Sequence, residues 1–208
     1  MKVLLINGSP NEKSCTYTAL KKVAESLNEE NIETEIIHLG NKPIADCIGC
    51  KTCFKEEHKG KCVFDDIANE IIEKAKTSDG FVFGTPVYYA HPTGRILSVL
   101  DRVFYAGKKN FEFKPGASIA SARRGGTTAS FDVLNKYFTI SQMPIVSSTY
   151  WNNIHGNNPE ETVQDLEGMQ TMYNLGKNMA WLLKCIEIAK KNEINHPNNV
   201  TEKTNFIR

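Results

Sequence analysis

Four cysteines fall within CIGCKTCFKEEHKGKC, Cys47 to Cys62, with the spacing C-x2-C-x2-C-x8-C. Thiols that dense have three chemical uses: they ligate an iron–sulfur cluster, they hold zinc, or they stay reduced beside another redox group. Structural zinc usually takes two separated C-x2-C knuckles, whereas here three candidate ligands crowd into one run. The spacing therefore favours a cluster on Cys47, Cys50, Cys53 and Cys62 over zinc. The long last gap does not forbid it, because extended chain reaches about 3.3 Å per residue. His58, in the charged stretch FKEEHKGK, reads as a free surface side chain. Cys15 and Cys185 stand apart and read as plain thiols.

A second candidate is the hydroxyl-rich stretch NGSPNEKSCTYTAL, Asn7 to Leu20. It lacks the G-K-S/T ending of a Walker A loop and the later glycines of a dinucleotide fingerprint. A turn with Ser9, Ser14, Thr16 and Thr18 that enters a helix offers free N–H groups and a favourable dipole to a phosphate. A terminal monoester suits it better than a pyrophosphate. Without a ligand, the same residues would be a helix cap.

Two further segments suit a flat heterocycle. In GTPVYYAHPTGRILSVLDR, Thr85-Pro86 stiffens the exit from an apolar run, and Val87, Tyr88 and Tyr89 follow. In SARRGGTTAS, Ser121 to Ser130, Gly125 and Gly126 allow close backbone approach, and Arg123 and Arg124 bring positive charge. One of those two arginines is expected to be only a solvated surface residue.

The elements that must position these residues alternate. Lys2–Asn7, Glu33–Leu39, Gly80–Gly84, Ala117–Ala122 and Pro144–Ser147 read as strands. Helical spacing marks Leu20, Val23, Ala24 and Leu27; Ile67, Ile71, Ile72 and Ala75, with Asp65 or Asp66 as N-cap; Ile96, Leu97, Leu100 and Val103; and Phe131, Leu134 and Phe138. A last helix runs from about Glu160 to Lys190 and contains Gly168 and Gly176. Five strand–helix alternations make an α/β fold, a parallel sheet with helices on both faces. Ligands of such sheets sit beyond the carboxyl ends of the strands, so the loops after Asn7, Gly84 and Ala122 are the places to look. One domain is expected over residues 1–190, with a cysteine-rich insertion at about 45–64 and a polar tail over 191–208.

Composition narrows the function. The 208 residues carry a formal charge of +1, which gives no polyelectrolyte argument for nucleic acid or an anionic membrane. No apolar run reaches bilayer length, and MKVLLINGSP turns polar too soon for a signal peptide. A cytoplasmic location is expected, where the thiols stay reduced.

Taken in order and spacing, GSPNEKSCT, GTPVYYAHPTGRILSVLDR and SARRGGT resemble the flavodoxin-like NAD(P)H-dependent FMN reductase family. YWNNIHG and NPEETVQDLEGMQ are similar to its iron–sulfur flavoprotein branch. The resemblance implies a flavodoxin-like three-layer sandwich with a five-stranded parallel sheet in the order 2-1-3-4-5. It implies bound FMN, with the phosphate loop on Ser9, Ser14, Cys15 and Thr16. Asn11 stands where many members have an arginine, which leaves Lys13 as a substitute. The isoalloxazine loop falls on Pro86, Val87, Tyr88 and Tyr89, and a second flavin-contacting loop on Ser121, Arg123, Arg124, Gly125 and Gly126. His155-Gly156 matches a loop that covers the flavin, often from a neighbouring subunit.

The implied activity is transfer of electrons from NAD(P)H through FMN to a small acceptor such as a flavin, quinone, azo or nitro compound. No side chain need act as nucleophile or general base. A homodimer or homotetramer is implied as well. The iron–sulfur flavoproteins have a shorter last cysteine gap, whereas many cluster-free reductases have a cysteine-rich stretch ending in C-x-x-D-D, as Cys62 to Asp66 does here. The alternative therefore stays open: an electron carrier with a [4Fe–4S] cluster on the four cysteines, fed by ferredoxin.

Overall fold

The structure is a computed structural model and describes residues 1–207. Strand β1, Lys2–Asn7, lies between β2, Glu33–His38, and β3, Gly80–Tyr88, and is parallel to both. Beyond β3 come β5, Gly116–Ala122, and β6, Asn153–His155, also parallel. The parallel strands thus run β2-β1-β3-β5-β6, the order expected. A two-residue strand β4, His91–Pro92, pairs antiparallel with the end of β3.

Both faces of β1 are covered, which explains its unbroken apolar run. Leu4 and Ile6 join a core with α2, Ile67–Ala75, α3, Gly94–Gly107, and α4, Thr127–Ile140. Val3 and Leu5 join a second core with α1, Cys15–Glu29, and α6, Leu166–Lys191. Three layers result. Leu134 and Phe138 of α4 are buried, while Phe131 is only half-buried.

Two expectations are corrected. Pro144–Ser147 is not the fifth strand: Ile145 makes one bridge to Gly116, and β6 at Asn153–His155 completes the sheet. Pro144 O and Val146 N both bond Gly116, and beyond that bridge the last helix takes over, with Asn178 Nδ2 donating to Ser147 O at 2.9 Å. Ser148 Oγ likewise donates to Thr171 O at 2.6 Å. The long final helix is also broken. A short turn α5, Pro159–Thr162, precedes α6, which restarts at Leu166 with Asp165 Oδ1 accepting from Gly168 N at 2.9 Å. Its Gly176 is a site of close approach, since a Cβ there would come within 2.6 Å of Ser26 on α1.

The tail from Asn192 to Ile207 lacks regular structure and returns to the body through His196, stacked on Phe113 at 4.3 Å. Among the described residues, no helix is long and apolar enough to cross a membrane.

Candidate functional site

The carboxyl ends of β1, β3 and β5 open into one cavity of about 400 Å3. Its walls include Ser9, Asn11, Lys13, Ser14, Cys15 and Thr16 from the first loop, and Pro86, Val87 and Tyr88 from the end of β3. Ser121, Ala122 and Arg123 close it from β5. The three loops singled out by sequence therefore meet.

The first loop is held from within. Asn7 Oδ1 accepts from Ser9 N at 3.0 Å, and Ser9 Oγ accepts from Asn11 N at 3.2 Å. His38 Nε2 lies 3.0 Å from Ser9 O, which ties the loop to β2. Ser14 is the N-cap of α1, its Oγ accepting from Tyr17 N at 3.2 Å. That leaves the first N–H groups of α1, at the cavity-lining Cys15 and Thr16, with no intrahelical acceptor. The donors available to an anion are thus the backbone groups, Lys13 and the Ser9 and Ser14 hydroxyls, whose oxygens accept within the loop while each keeps one O–H to donate.

Thr16 and Ser121 are both buried, and their hydroxyl oxygens lie 2.7 Å apart, so the first loop and the end of β5 are joined. Cys15 Sγ donates to Gly156 O at 3.6 Å. The segment Gly156–Pro159 of the same chain roofs the cavity. Sequence reasoning placed His155-Gly156 near the site but missed Asn157, Asn158 and Pro159, whose only signal was their nearness to that match.

Four expected residues stand differently. Tyr89 does not line the cavity; it is fully exposed at a hairpin tip, with φ of 52°, followed by Ala90 at 58°. Two left-handed residues in a two-residue turn match the twist of a hairpin, but without glycine they carry strain. Arg124 is exposed outside the cavity, whereas Arg123 lines it. Gly125 is exposed and has open space around it. Gly126 has φ of 97°, and a Cβ there would come within 2.7 Å of Ala90 Cα and 2.8 Å of Val87 Cγ1. It seats the β3–β4 hairpin against the start of α4, beside the cavity.

The four cysteines form a second feature. Cys47, Cys50, Cys53 and Cys62 line one crevice of about 20 Å3, together with Arg102, Phe64 and Tyr105. The long gap is folded up: 3-10 turns at Thr52–Phe54 and Glu56–His58 consume it, and Gly60 N donates back to Cys53 O at 3.1 Å. Cys62 is fixed by Asn69, whose Oδ1 accepts from Cys62 N at 2.8 Å and whose Nδ2 donates to Cys62 O at 3.0 Å. Cys53 is buried, and Cys47 and Cys50 are exposed. Desolvation, then the neighbouring thiols, pushes the Cys53 thiol above its ordinary pKa, while hydrogen bonding to Thr52 pulls Cys50 below it. Among the described residues, no group of three or more Cys, His, Asp or Glu is drawn in closely enough to grip a single metal ion.

Arg102 was missed by sequence reasoning. It follows Val99 by three residues on the buried stripe of α3, and a charge at such a position was the available signal. Its guanidinium binds Asp66 in a fork, Nη1 to Oδ2 at 2.8 Å and Nη2 to Oδ1 at 2.7 Å. Asp66 is also the N-cap of α2, accepting from Ala68 N at 3.0 Å.

The family model described as NADPH-dependent FMN reductase matches residues 1–158. An iron–sulfur flavoprotein of Methanocaldococcus jannaschii is 33% identical over 196 residues, covering 90% of this chain and 100% of that one. Among solved structures, RosB with a bound formylated riboflavin phosphate intermediate has a TM-score of 0.70 at 13% identity, covering 100% of this chain and 92% of that one. A flavodoxin from the domain Archaea has a TM-score of 0.61 at 14% identity, over 88% of this chain and 99% of that one. These likenesses establish a flavodoxin-like fold.

Proposed function

Since the chain belongs to the NADPH-dependent FMN reductase family, near its iron–sulfur flavoproteins, we propose that it is an FMN-dependent oxidoreductase with a cluster beside its flavin. The observation that carries the flavin assignment is the single cavity that joins unpaired helix N–H groups and Lys13 to the aromatic edge of Tyr88. The residues fit the group. The N–H groups of Cys15 and Thr16, with Lys13, would hold the 5′-phosphate. Pro86, Val87 and Tyr88 line the cavity on one side and Ser121 to Arg123 on the other, and between them they would hold the ring. Arg123, which lines this cavity, would stabilise negative charge on reduced flavin. Bound FMN supplies two-electron chemistry with NAD(P)H and one-electron chemistry with metal centres. The chain's part is to hold the ring at the strand ends and to keep one of its edges open to a small acceptor.

For the cluster, the donor set is the test. Four thiols around one crevice, with a buried guanidinium donating to one of them, suit iron–sulfur ligation through Cys47, Cys50, Cys53 and Cys62. A [4Fe–4S] cluster there would supply one-electron transfer to or from the flavin.

A second reading keeps FMN and drops the cluster: a reductase that oxidises NAD(P)H directly, with flavin, quinone, azo or nitro acceptors. The small volume of the crevice, about 20 Å3, favours it. Anaerobic purification decides between them. Broad absorbance beyond the flavin bands, with iron and acid-labile sulfide, supports the cluster; a clean flavin spectrum that NAD(P)H bleaches rapidly supports the reductase. Colourless protein that takes up no FMN would sink both.

A further inference from the structure

We propose that Arg102 is the positioning residue of the cysteine site: it assembles both ends of the segment and donates a charge-assisted hydrogen bond to Cys62 Sγ. The inference rests on the cluster reading above. It follows from a full accounting of one side chain. Arg102 has no exposed side-chain surface, and a buried guanidinium is costly unless its charge and its five N–H groups are all met. Each one is. Nε donates to Cys62 Sγ at 3.2 Å. Nη1 donates to Ala45 O at 3.1 Å and Asp66 Oδ2 at 2.8 Å. Nη2 donates to Phe64 O at 3.4 Å and Asp66 Oδ1 at 2.7 Å. The Phe64 ring lies 5.0 Å from the guanidinium carbon.

The partners are distributed in a telling way. Ala45 lies just before Cys47; Cys62, Phe64 and Asp66 lie at and after the last cysteine. One side chain rooted in the rigid helix α3 therefore clamps the entry and the exit of a segment whose only regular structure is two 3-10 turns. Asp66 passes the hold on to α2 through its cap. Lysine could match the charge but not the planar fork. An N–H bond to a ligating sulfur draws electron density from it, and such bonds raise the potential of a cluster. Arg102 thus sets both occupancy and potential, from outside the FMN cavity.

The test compares wild type, R102K and R102Q, purified anaerobically and reconstituted with ferrous iron and sulfide. Iron and sulfide per chain, FMN per chain and the midpoint potential of the cluster are measured. The expected result is unchanged FMN content, a several-fold loss of iron, and a potential that falls from wild type to R102K to R102Q. Wild-type iron content and potential in both variants would overturn the role of Arg102. Should both variants fail to fold, D66N keeps the α2 cap but removes the counter-charge; lowered iron or a shifted potential supports the clamp, and wild-type values for both overturn it. Wild-type protein that takes up no iron overturns the cluster reading itself, a result distinct from the other two.

Discussion

Thr16 Oγ1 and Ser121 Oγ share a buried hydrogen bond at 2.7 Å, and through it the start of α1 is latched to the end of β5. The bond joins the proposed phosphate end of the cavity to its proposed ring end. Replacing Thr16 with valine keeps the shape but strands the Ser121 hydroxyl in the interior. An unmet buried polar group costs about 1–3 kcal/mol. T16V should therefore lower the melting temperature and weaken FMN binding roughly tenfold, since about 1.4 kcal/mol corresponds to a factor of ten. The double variant T16V/S121A should recover part of the stability, because neither partner is then left unpaired. Thermal melts and flavin fluorescence titrations check this; a double variant less stable than T16V by the full cost of S121A alone would show that the two hydroxyls are not coupled.

Gly126 makes a comparable prediction at the hairpin. Its φ of 97° and the 2.7 Å approach of a hypothetical Cβ to Ala90 Cα leave no room for a side chain. Left-handed backbone alone costs a non-glycine residue about 1–2 kcal/mol. G126A should displace Val87 and Tyr88 and weaken FMN binding more than it lowers the stability of the flavin-free protein. G125A, at an exposed position with open space around it, is the control and should change neither. Equal effects from the two substitutions would refute the seating role of Gly126.

Much of this architecture was legible in the sequence, for identifiable reasons. Val3 to Ile6 is apolar at every position, which only a strand covered on both faces requires. The helices on the sheet show their stripes, and Asp66 sits where a cap was expected. What stayed hidden depends on long-range pairing. Pro144–Ser147 looks like a strand locally, but its pairing with β5 stops at Gly116, and Asn178 of α6 takes Ser147 O. Ser14 and Ser9 also carry a cap and a turn bond through their oxygens, a structural role that residue type alone does not reveal. Tyr89 belongs to the same aromatic run as Tyr88, and only the hairpin turn separates the exposed ring from the cavity-lining one. Arg102 meets Cys62 across forty positions of sequence, a pairing that no local pattern encodes.

Among the described residues, Lys13 and Arg123 are the cationic side chains lining the cavity, and no carboxylate lines it. Lys13 stands near the free N–H groups of α1, where a dianionic phosphate would gain most from it. K13Q should weaken FMN binding several-fold but leave riboflavin, which lacks the phosphate, nearly unaffected. The salt dependence of FMN affinity should also become shallower, because one screened charge pair is gone. Titrations of both flavins at two ionic strengths test this. Equal losses for FMN and riboflavin would place Lys13 away from the phosphate.

Glu30, at the end of α1, predicts how the fold responds to acid. Lys184 and then Lys177, both on α6, hydrogen-bond its carboxylate and draw its pKa from 4.5 down to about 2. A carboxylate with a depressed folded pKa adds stability that is fully present above its unfolded pKa. That contribution fades as pH falls from 4.5 toward 2, because the unfolded chain takes up its proton first. In E30Q the group cannot ionise, so its share of the pH dependence disappears. Wild type should thus exceed E30Q in denaturation midpoint by a constant margin above about pH 5.5, roughly one unit above the unfolded pKa, and the margin should shrink steadily below it. High salt should reduce the margin, since all three groups are solvent-accessible and screened. Urea denaturation of both proteins across this range checks the sign. A margin that stays constant to pH 2, or grows on acidification, would rule out Glu30 as a point where the α1–α6 contact senses acid.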